Sequence, residues 1–241
     1  MSGIFHVVGL GPGDPELMTV KAARVIAASP VVAFFAKRGR TGHARTIAAD
    51  YIDGSVEELR FEYPFTTEVA LDDPRYRAEI VAFYDACAAA LAERLAAGRD
   101  AVLLCEGDPF FYGSSMYIFD RLRPSFRSEV IAGVSAMSGC WTCAGTPIAH
   151  GDDVLTVLPG TLDEEGLTTR LRGADAAVIM KIGRNLPKIR AALARAGLAE
   201  RAIYVERGTM AGERILPVME LDDRPAPYFS IVLVPGRQRA R

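Results

Sequence analysis

Two glycine-containing stretches in the first half of the chain could bind a ligand through their main chain. These stretches are "VGLGPGDP", residues 8–15, and "CEGDPFFYG", residues 105–113. Each begins at the end of a short apolar run that predicts a buried strand. Ligands of open α/β sheets bind beyond the carboxyl ends of the strands. We therefore expect the two loops to meet at one crevice and to approach a ligand closely. The alternative for each loop is a purely structural tight turn.

Neither stretch has the spacing of a nucleotide-binding fingerprint. The dinucleotide pattern G-x-G-x-x-G would require glycine where Asp14 stands, and Pro12 lacks the N–H that a phosphate-binding turn would donate. The second apolar run leads into "AKRGR", which offers bases where an NAD-binding protein offers an acid to the ribose. The sequence contains no G-x-x-x-x-G-K-[ST] loop. An NAD-dependent oxidoreductase is therefore disfavoured, and it is kept only as a distant alternative.

Strand and helix patterns alternate along the chain, which predicts a mostly parallel α/β fold. The strand-like segments, in chain order, are "GIFHVVGL", "PVVAFF", "VEELRFEYP", "DAVLLC", "EVIA", "VLTVL", "AAVIMK", "AIYVE" and "YFSIVLV". About ten strands are many for one sheet. We therefore expect two α/β domains, residues 1–122 and residues 123–241, joined near "RLRPSFRS".

Capping residues and apolar spacing predict the helices between these strands. Thr19 is a suitable N-cap for "VKAARVIAAS", and Asp73 and Gly98 would bound a long helix that reaches about Ala97. The apolar stripe of that long helix consists of Ile80, Phe83, Cys87, Leu91 and Leu95. Further helices are expected at "SSMYIFDRL", "SAMSGCWTCAG" and residues 187–196.

Composition excludes several classes of protein. The 241 residues carry a net charge of −2, which favours neither nucleic acid nor an anionic membrane as a partner. No signal peptide or apolar run of membrane-spanning length is visible. Four cysteines in a chain of this length do not form a disulfide framework, so we expect a cytoplasmic protein with reduced thiols. The pair in "CWTC" lacks the second ligand pair that zinc needs, and no metal is expected.

The two loops, with four further segments in order, resemble the tetrapyrrole methylase family. The further segments are "IAGVSAMSGCWTCAGTPIAHGDD", "VIMKIGRN", "YVERGTMAGERI" and "PYFSIVLV", together with the helix pattern "TVKAARVI" after the first loop. The resemblance covers essentially the whole chain. It implies two α/β domains with the active site in the cleft between them, a homodimer, and S-adenosyl-L-methionine as methyl donor for a tetrapyrrole substrate. Within the family, the segments are most similar to the members that methylate C20 of precorrin-2 in cobalamin biosynthesis.

The resemblance assigns a set of cofactor contacts to both domains. By resemblance, these contacts are Pro12, Glu106, Gly107, Asp108, Phe111, Ser135, Ala136, Met180 and Gly208. Two departures from the family pattern stand out. Phe35 occupies the position where some uroporphyrinogen-methylating relatives carry a proposed aspartate base, so no general base is evident there. Glu106 replaces the usual glycine before Gly107.

Methyl transfer from a sulfonium places modest demands on the protein, which has to position the reactants and shield them from water. The substrate's carboxylates should find cationic partners, and Lys37, Arg38, Arg40 and Arg45, with His43, follow the second strand. Tyr112 and Tyr117 are candidates for a hydrogen bond to a pyrrole edge or for proton donation. A solvated basic loop and ordinary half-buried tyrosines are the alternatives. Three alternatives stay open. They are another corrinoid methyltransferase that acts at a different carbon, one that acts on the cobalt-containing substrate, and a non-catalytic tetrapyrrole-binding protein.

Overall fold

The computed structural model describes residues 1–65, 74–222 and 224–236, and the side chains of residues 74–76 are not included. It divides into two compact units, Met1–Ala136 and Met137–Arg241. Each unit contains one five-stranded sheet, so the prediction of two α/β domains is confirmed. The elements of the first sheet and its helices are β1 (Phe5–Gly9), α1 (Val20–Ala28), β2 (Val31–Ala36), α2 (His43–Ile47), β3 (Glu57–Glu62), α3 (Pro74–Ala96), β4 (Ala101–Cys105), α4 (Ser115–Leu122) and β5 (Ser128–Ile131). The later elements are α5 (Ala136–Cys143), β6 (Leu155–Pro159), α6 (Glu164–Leu171), β7 (Ala176–Met180), α7 (Leu186–Arg195), β8 (Ile203–Glu206), β9 (Arg214–Pro217) and β10 (Ser230–Val234).

The first sheet is parallel throughout, with the strand order β3-β2-β4-β1-β5. Alternate side chains of each strand enter different cores, as the pleat requires. Val7 and Leu103 pack with α3 and α4 on one face, whereas Val8 and Leu104 pack with α1 and α2 on the other. Burial on both faces explains why these strands are continuous apolar runs.

The strand order of this sheet reverses between β1 and β4. From β1 the chain crosses over β4 to reach β2, and from β4 it crosses over β1 to reach β5. The loops that leave the carboxyl ends of β1 and β4 therefore diverge to opposite sides. In open α/β sheets this divergence creates the crevice in which ligands bind.

The second sheet has the order β6-β7-β10-β8-β9 and is mixed. Only its β6–β7 pair is parallel, since β10 runs antiparallel to both β7 and β8, and β9 runs antiparallel to β8. The prediction of a mostly parallel architecture is therefore wrong for this unit. There are two reasons. β10 returns antiparallel between β7 and β8, and β8 and β9 are joined by a turn without a crossover helix, which suffices only for antiparallel strands. Strand β9 was also missing from the predicted segments.

Helix signals in the sequence correspond closely to the observed helices. The Thr19 side chain accepts a hydrogen bond from the Ala22 amide and caps α1 as predicted. Cys87, Leu91 and Leu95 of α3 are buried against the first sheet, and Ile80 and Phe83 pack at its margin. The predicted cap Asp73 lies outside the described residues.

The division of the chain falls later than the boundary expected between residues 122 and 123. β5 follows that boundary, but its residues pair with β1 and so belong to the first sheet. The physical reason is the crossover from β4 through α4, which delivers β5 to the free edge of β1. The first unit therefore holds the loops after β1, β4 and β5.

Candidate functional site

The loops after β1 and β4 are joined by their main chains. The Gly107 amide donates a 2.7 Å hydrogen bond to the Gly11 carbonyl, and the Gly11 amide donates a 3.3 Å bond to the Gly107 carbonyl. Both residues have positive φ, +82° for Gly11 and +68° for Gly107, which glycine adopts without strain. This reciprocal pair brings the two predicted loops together, as the sequence suggested.

A third loop, after β5, completes this junction. A Cβ atom added to Gly133 would lie 2.1 Å from the Gly107 carbonyl oxygen, and one added to Gly9 would lie 2.6 Å from the Gly133 nitrogen. These three glycines therefore touch through their main chains, and a larger residue would force the loops apart. The contact of Gly9 and Gly133 was not foreseen, although a glycine at or near the carboxyl end of each strand was its signal in the sequence.

The Asp108 carboxylate fastens the β4 loop to the β5 loop. One oxygen accepts the Phe110 amide at 2.9 Å and the other accepts the Gly133 amide at 3.2 Å. The carboxylate thus satisfies main-chain donors that would otherwise lack partners at the turn. Its predicted contact with the cofactor stays a prediction, and the structure adds this supporting role.

Glu106 lies between the end of β4 and the glycine junction. Its carboxylate accepts a 3.1 Å hydrogen bond from the Ala44 amide in the first turn of α2. Glu106 as a whole residue is exposed, but the protein atoms around its carboxyl group raise the pKa of that group. The nearby imidazole of His43 opposes that rise to a smaller extent.

The other predicted cofactor residues of the first unit surround the same junction. Pro12 is buried between two glycines of positive φ, and Phe111 is half-buried with its ring centroid 4.9 Å from that of Tyr112. The Ala136 nitrogen would lie 3.6 Å from a Cβ placed on Gly107. Ser135 precedes it and is half-buried. The sequence prediction therefore selected residues that the fold gathers at the carboxyl ends of β1, β4 and β5.

Met180 and Gly208 belong to the second unit. Met180 ends β7 and packs beside the buried cluster that includes Val178 and Leu233. A Cβ on Gly208 would lie 2.7 Å from the Cys140 Sγ, so the position has no room for a side chain. This packing explains the glycine, and the predicted cofactor contacts of both residues stay predictions.

The two candidate tyrosines have different surroundings. Tyr112 is 41% exposed and adopts a φ of +58°, a left-handed conformation that is uncommon for a residue with a large side chain. Tyr117 on α4 is 50% exposed, and its ring stacks on the buried Tyr84 with 4.8 Å between centroids. Tyr117 is thus held in one orientation while its other face meets solvent.

Phe35 lies in an aromatic cluster rather than in a polar site. Its ring centroid is 5.2 Å from Tyr63 and 6.0 Å from both Phe61 and Phe83. An ionised carboxylate among these rings would lose its hydration without a partner. The aromatic surroundings therefore agree with the absence of a general base at this position.

The basic residues after β2 divide into two groups. Lys37, Arg38 and Arg40 are exposed, and so they are accessible to an anionic ligand. Arg45 instead donates two hydrogen bonds to Glu58, at 2.7 and 2.9 Å, and this contact raises the Arg45 pKa and lowers the Glu58 pKa. A substrate carboxylate would have to displace Glu58 to reach Arg45.

The cysteines are unsuited to thiolate chemistry. Burial raises the pKa of Cys87, Cys105 and Cys140 to about 12, and burial with Glu213 nearby raises that of Cys143 to about 11. All four are free thiols, and Cys140 and Cys143 lie in the second half of α5, as the sequence indicated.

In the described ranges, no group of three or more His, Cys, Asp or Glu side chains could hold a metal ion. In the same ranges, no helix is long and apolar enough to cross a membrane.

Comparison with known proteins assigns the chain to one family. The sequence pattern of the tetrapyrrole (corrin/porphyrin) methylases matches residues 5–222, and the chain belongs to this family of methyltransferases.

Two relatives and one solved structure show which family members this chain is similar to. The chain is 53% identical over 229 residues to the precorrin-2 C(20)-methyltransferase of a Sinorhizobium species, covering 95% of this chain and 94% of that one. It is 30% identical over 239 residues to the cobalt-precorrin-2 C(20)-methyltransferase of Salmonella typhimurium, covering 97% of each. Among solved structures, uroporphyrin-III C-methyl transferase from Thermus thermophilus, complexed with S-adenyl homocysteine, superposes with a TM-score of 0.67 at 23% identity. That superposition covers 97% of this chain and 92% of the other, and it shows the shared fold.

Proposed function

We propose that the protein transfers a methyl group from S-adenosyl-L-methionine to C20 of precorrin-2, giving precorrin-3A in cobalamin biosynthesis. The observation that carries this proposal is the 53% identity to the Sinorhizobium enzyme over nearly the full length of both chains. The alignment leaves little of either chain unmatched, so it extends over the loops described above. The reaction is an in-line displacement, so the protein's work is positioning and exclusion of water.

The glycine junction is suited to bring the methyl donor close to the main chain. The absence of side chains at Gly11 and Gly107 lets a ligand approach the backbone at the crevice between β1 and β4. Asp108 keeps the β4 loop fixed to the β5 loop, which limits the entropy lost on binding. The full proposed contact set is Pro12, Glu106, Gly107, Asp108, Phe111, Ser135, Ala136, Met180 and Gly208.

The substrate is a macrocycle that carries many carboxylates, and the exposed residues Lys37, Arg38 and Arg40 are suited to pair with them. Tyr117, held against Tyr84, offers a flat aromatic face and a hydroxyl on the same element. We propose that the three basic residues bind substrate carboxylates and that Tyr112 and Tyr117 contact the macrocycle. Arg45 would act indirectly, because its pair with Glu58 fixes α2 against β3.

A cobalt-containing substrate is the second candidate. The likeness to the Salmonella enzyme, at 30% identity over nearly the whole chain, favours considering it. The greater identity to the Sinorhizobium enzyme, 53%, supports the metal-free substrate. A cytoplasmic homodimer is part of the proposal, in keeping with the free cysteines.

The deciding experiment is an anaerobic incubation with S-adenosylmethionine whose methyl carbon is labelled. Enzymatically prepared precorrin-2 and its cobalt form serve as parallel acceptors, and mass spectrometry and carbon NMR locate the label. One methyl group at C20 of the metal-free acceptor is the expected result. A methyl group at another carbon would overturn the regiochemistry, and preferential use of the cobalt form would establish the second candidate.

A further inference from the structure

Methylation of C20 requires the loss of a proton from the same carbon. The C20–CH₃ bond forms as the sulfur–methyl bond breaks, and the electron pair of the broken bond stays on sulfur. The C20–H bond then breaks, its electron pair returns to the conjugated ring system, and the proton passes to a base. Phe35 supplies none at the position where some relatives carry aspartate, so the acceptor must come from elsewhere.

The acidic side chains in the loops after β1 and β4 are Asp14, Glu16, Glu106 and Asp108. Glu16 lies exposed in the short turn Pro15–Leu17, where no hydrogen bond among the described residues orients its carboxylate. The Asp14 carboxylate accepts the Glu16 amide at 2.9 Å and caps the turn that follows. Both oxygens of Asp108 accept main-chain amides, one in its own loop and one from Gly133. These two carboxylates therefore hold the loops in shape, and protonating either would weaken a turn.

Glu106 differs from both in its contacts. Its carboxylate accepts the Ala44 amide, which fixes the direction of the side chain without neutralising its charge. In the part of the chain that the structure describes, no salt bridge includes Glu106. Glu57, Glu58 and Glu129, by contrast, each pair with basic side chains that lower their pKa.

The environment of Glu106 also favours the protonated form after the reaction. Neighbouring atoms raise the pKa of its carboxyl, whereas the amide of Ala44 and the charge of His43 on α2 moderate the rise. Cys105 beside it stays a neutral thiol, because burial raises its pKa to about 12. A carboxylate of raised pKa accepts a carbon-bound proton more readily than one of ordinary pKa.

We propose that the Glu106 carboxylate, held by the Ala44 amide at the glycine junction, accepts the proton that leaves C20 after methyl transfer. This inference rests on the proposed function, since it assigns the base of that reaction. The proposed contact of Glu106 with the methyl donor would be made by its main chain, which substitution of the side chain leaves in place. The glutamate that departs from the usual glycine thus supplies the base that Phe35 does not.

The test compares Glu106→Gln and Glu106→Asp with the wild-type protein. Glutamine can still accept the Ala44 amide through its side-chain oxygen, but it cannot take up the proton. We expect unchanged binding of S-adenosylhomocysteine by calorimetry and a fall in kcat of roughly 10²- to 10⁴-fold, the range for loss of a general base. With precorrin-2 deuterated at C20, the glutamine variant should show a primary isotope effect on kcat, because proton loss becomes rate-limiting.

The pH profile supplies a second readout. Because the base must be ionised, the wild-type kcat should fall as pH drops through the raised pKa of Glu106, above the ordinary range near 4.3. The aspartate variant should retain an acid limb and part of the activity, whereas the glutamine variant should lack that limb. Glu200→Gln, an exposed change in the second unit, is the matched control and should behave as wild type.

Two outcomes would overturn the inference. One is a glutamine variant with wild-type kcat; the other is a loss confined to KM or to S-adenosylhomocysteine affinity with no isotope effect. If the glutamine variant does not fold, an aspartate variant with the full wild-type kcat and no change in the isotope effect would equally overturn it, because shortening the side chain should displace the base. Failure of the proposed function is recognised separately, because the wild-type protein would then place no methyl group at C20.

Discussion

The Gly107 amide donates a 2.7 Å hydrogen bond to the Gly11 carbonyl, which joins the loops at the carboxyl ends of two strands that are neighbours in the sheet but distant in sequence. The chain leaves β1 and β4 in opposite directions, which opens a crevice between the two loops. The hydrogen bond lies at the base of this crevice. The integrity of this junction should therefore control both stability and binding of the methyl donor.

Gly133→Ala should disrupt the junction. The added Cβ would lie 2.1 Å from the Gly107 carbonyl oxygen, and main-chain atoms cannot yield as a flexible side chain can. We expect a loss of about 1–3 kcal/mol of unfolding free energy, as for other overpacked sites, with weaker binding of S-adenosylhomocysteine. Urea denaturation and calorimetry measure the two effects. Gly54→Ala is the control, because a Cβ there meets nothing within 4 Å, and equal behaviour of both variants would contradict the prediction.

Asp108→Asn should loosen the β4 loop without changing the size of the side chain. The amide retains one acceptor oxygen, so only one of the Phe110 and Gly133 bonds can persist, while its NH₂ group faces a main-chain N–H. We expect about 1–3 kcal/mol of destabilisation from the unpaired donor. Thermal unfolding checks this, with the exposed Asp152→Asn as control. An unchanged melting temperature would show that the carboxylate is dispensable to the loop.

Local patterns in the sequence predicted the helices and strands well because each signal was complete within a few residues. Thr19 caps α1 through its own side chain, and the α3 stripe of Cys87, Leu91 and Leu95 repeats with the helical period. The pairing of strands depends on distant segments instead. The return of β10 between β7 and β8 has no local signature, so the second sheet was predicted with the wrong strand directions.

The candidate site likewise combines features that are visible in the local sequence with contacts that depend on distant segments. The glycine loops were visible in the sequence because their composition is unusual after an apolar strand. The contacts of Gly9 and Gly133, the Arg45–Glu58 pair and the Ala44–Glu106 bond join residues that only the crossovers bring together. The resemblance to a known family supplied the ligand, which neither composition nor strand pattern could.

The exposed basic residues after β2 should determine the affinity for the substrate. Lys37→Ala, Arg38→Ala and Arg40→Ala are each expected to raise the KM for precorrin-2 about twofold to fivefold, as for loss of one exposed charge contact. The effect should shrink at high salt, because screening already weakens such contacts. Steady-state kinetics at two ionic strengths test this, with the exposed Arg24→Ala on α1 as control. Unchanged KM values would mean that this is a solvated loop.

Arg45→Ala should lower the free energy of unfolding and should affect the KM for the substrate only indirectly. The Arg45–Glu58 pair is partly exposed, so a double-mutant cycle with Glu58→Ala should give a coupling of about 0.2–1 kcal/mol. A coupling near zero, accompanied by a larger rise in KM than at Lys37, would indicate that Arg45 leaves Glu58 and binds the substrate directly.

The buried thiol of Cys140 and the half-buried thiol of Cys143 should resist alkylation and should lose their stabilising protonation in alkali. The pKa values of about 12 for Cys140 and about 11 for Cys143 lie above the unfolded value near 8.5. Their folded forms bind the proton more tightly, so this contribution is complete below pH ~8.5 and declines as pH rises toward the folded values. We expect thiol labelling at pH 8 to be about two orders of magnitude slower than in the urea-unfolded chain. Equal labelling rates would contradict the assigned burial.

Tyr117→Phe separates the hydroxyl of this residue from its stacked ring. The phenyl ring can keep its place on Tyr84, 4.8 Å between centroids, so unfolding free energy should change by less than about 0.5 kcal/mol. Loss of a hydrogen bond to the substrate, about 1 to 1.5 kcal/mol, should lower kcat/KM roughly five- to twelvefold. Tyr117→Leu removes the stack as well and should cost a further 0.5–1.5 kcal/mol or so of stability. If the phenylalanine variant keeps wild-type kcat/KM while the leucine variant loses it, Tyr117 serves as an aromatic surface and its hydroxyl takes no part in the reaction.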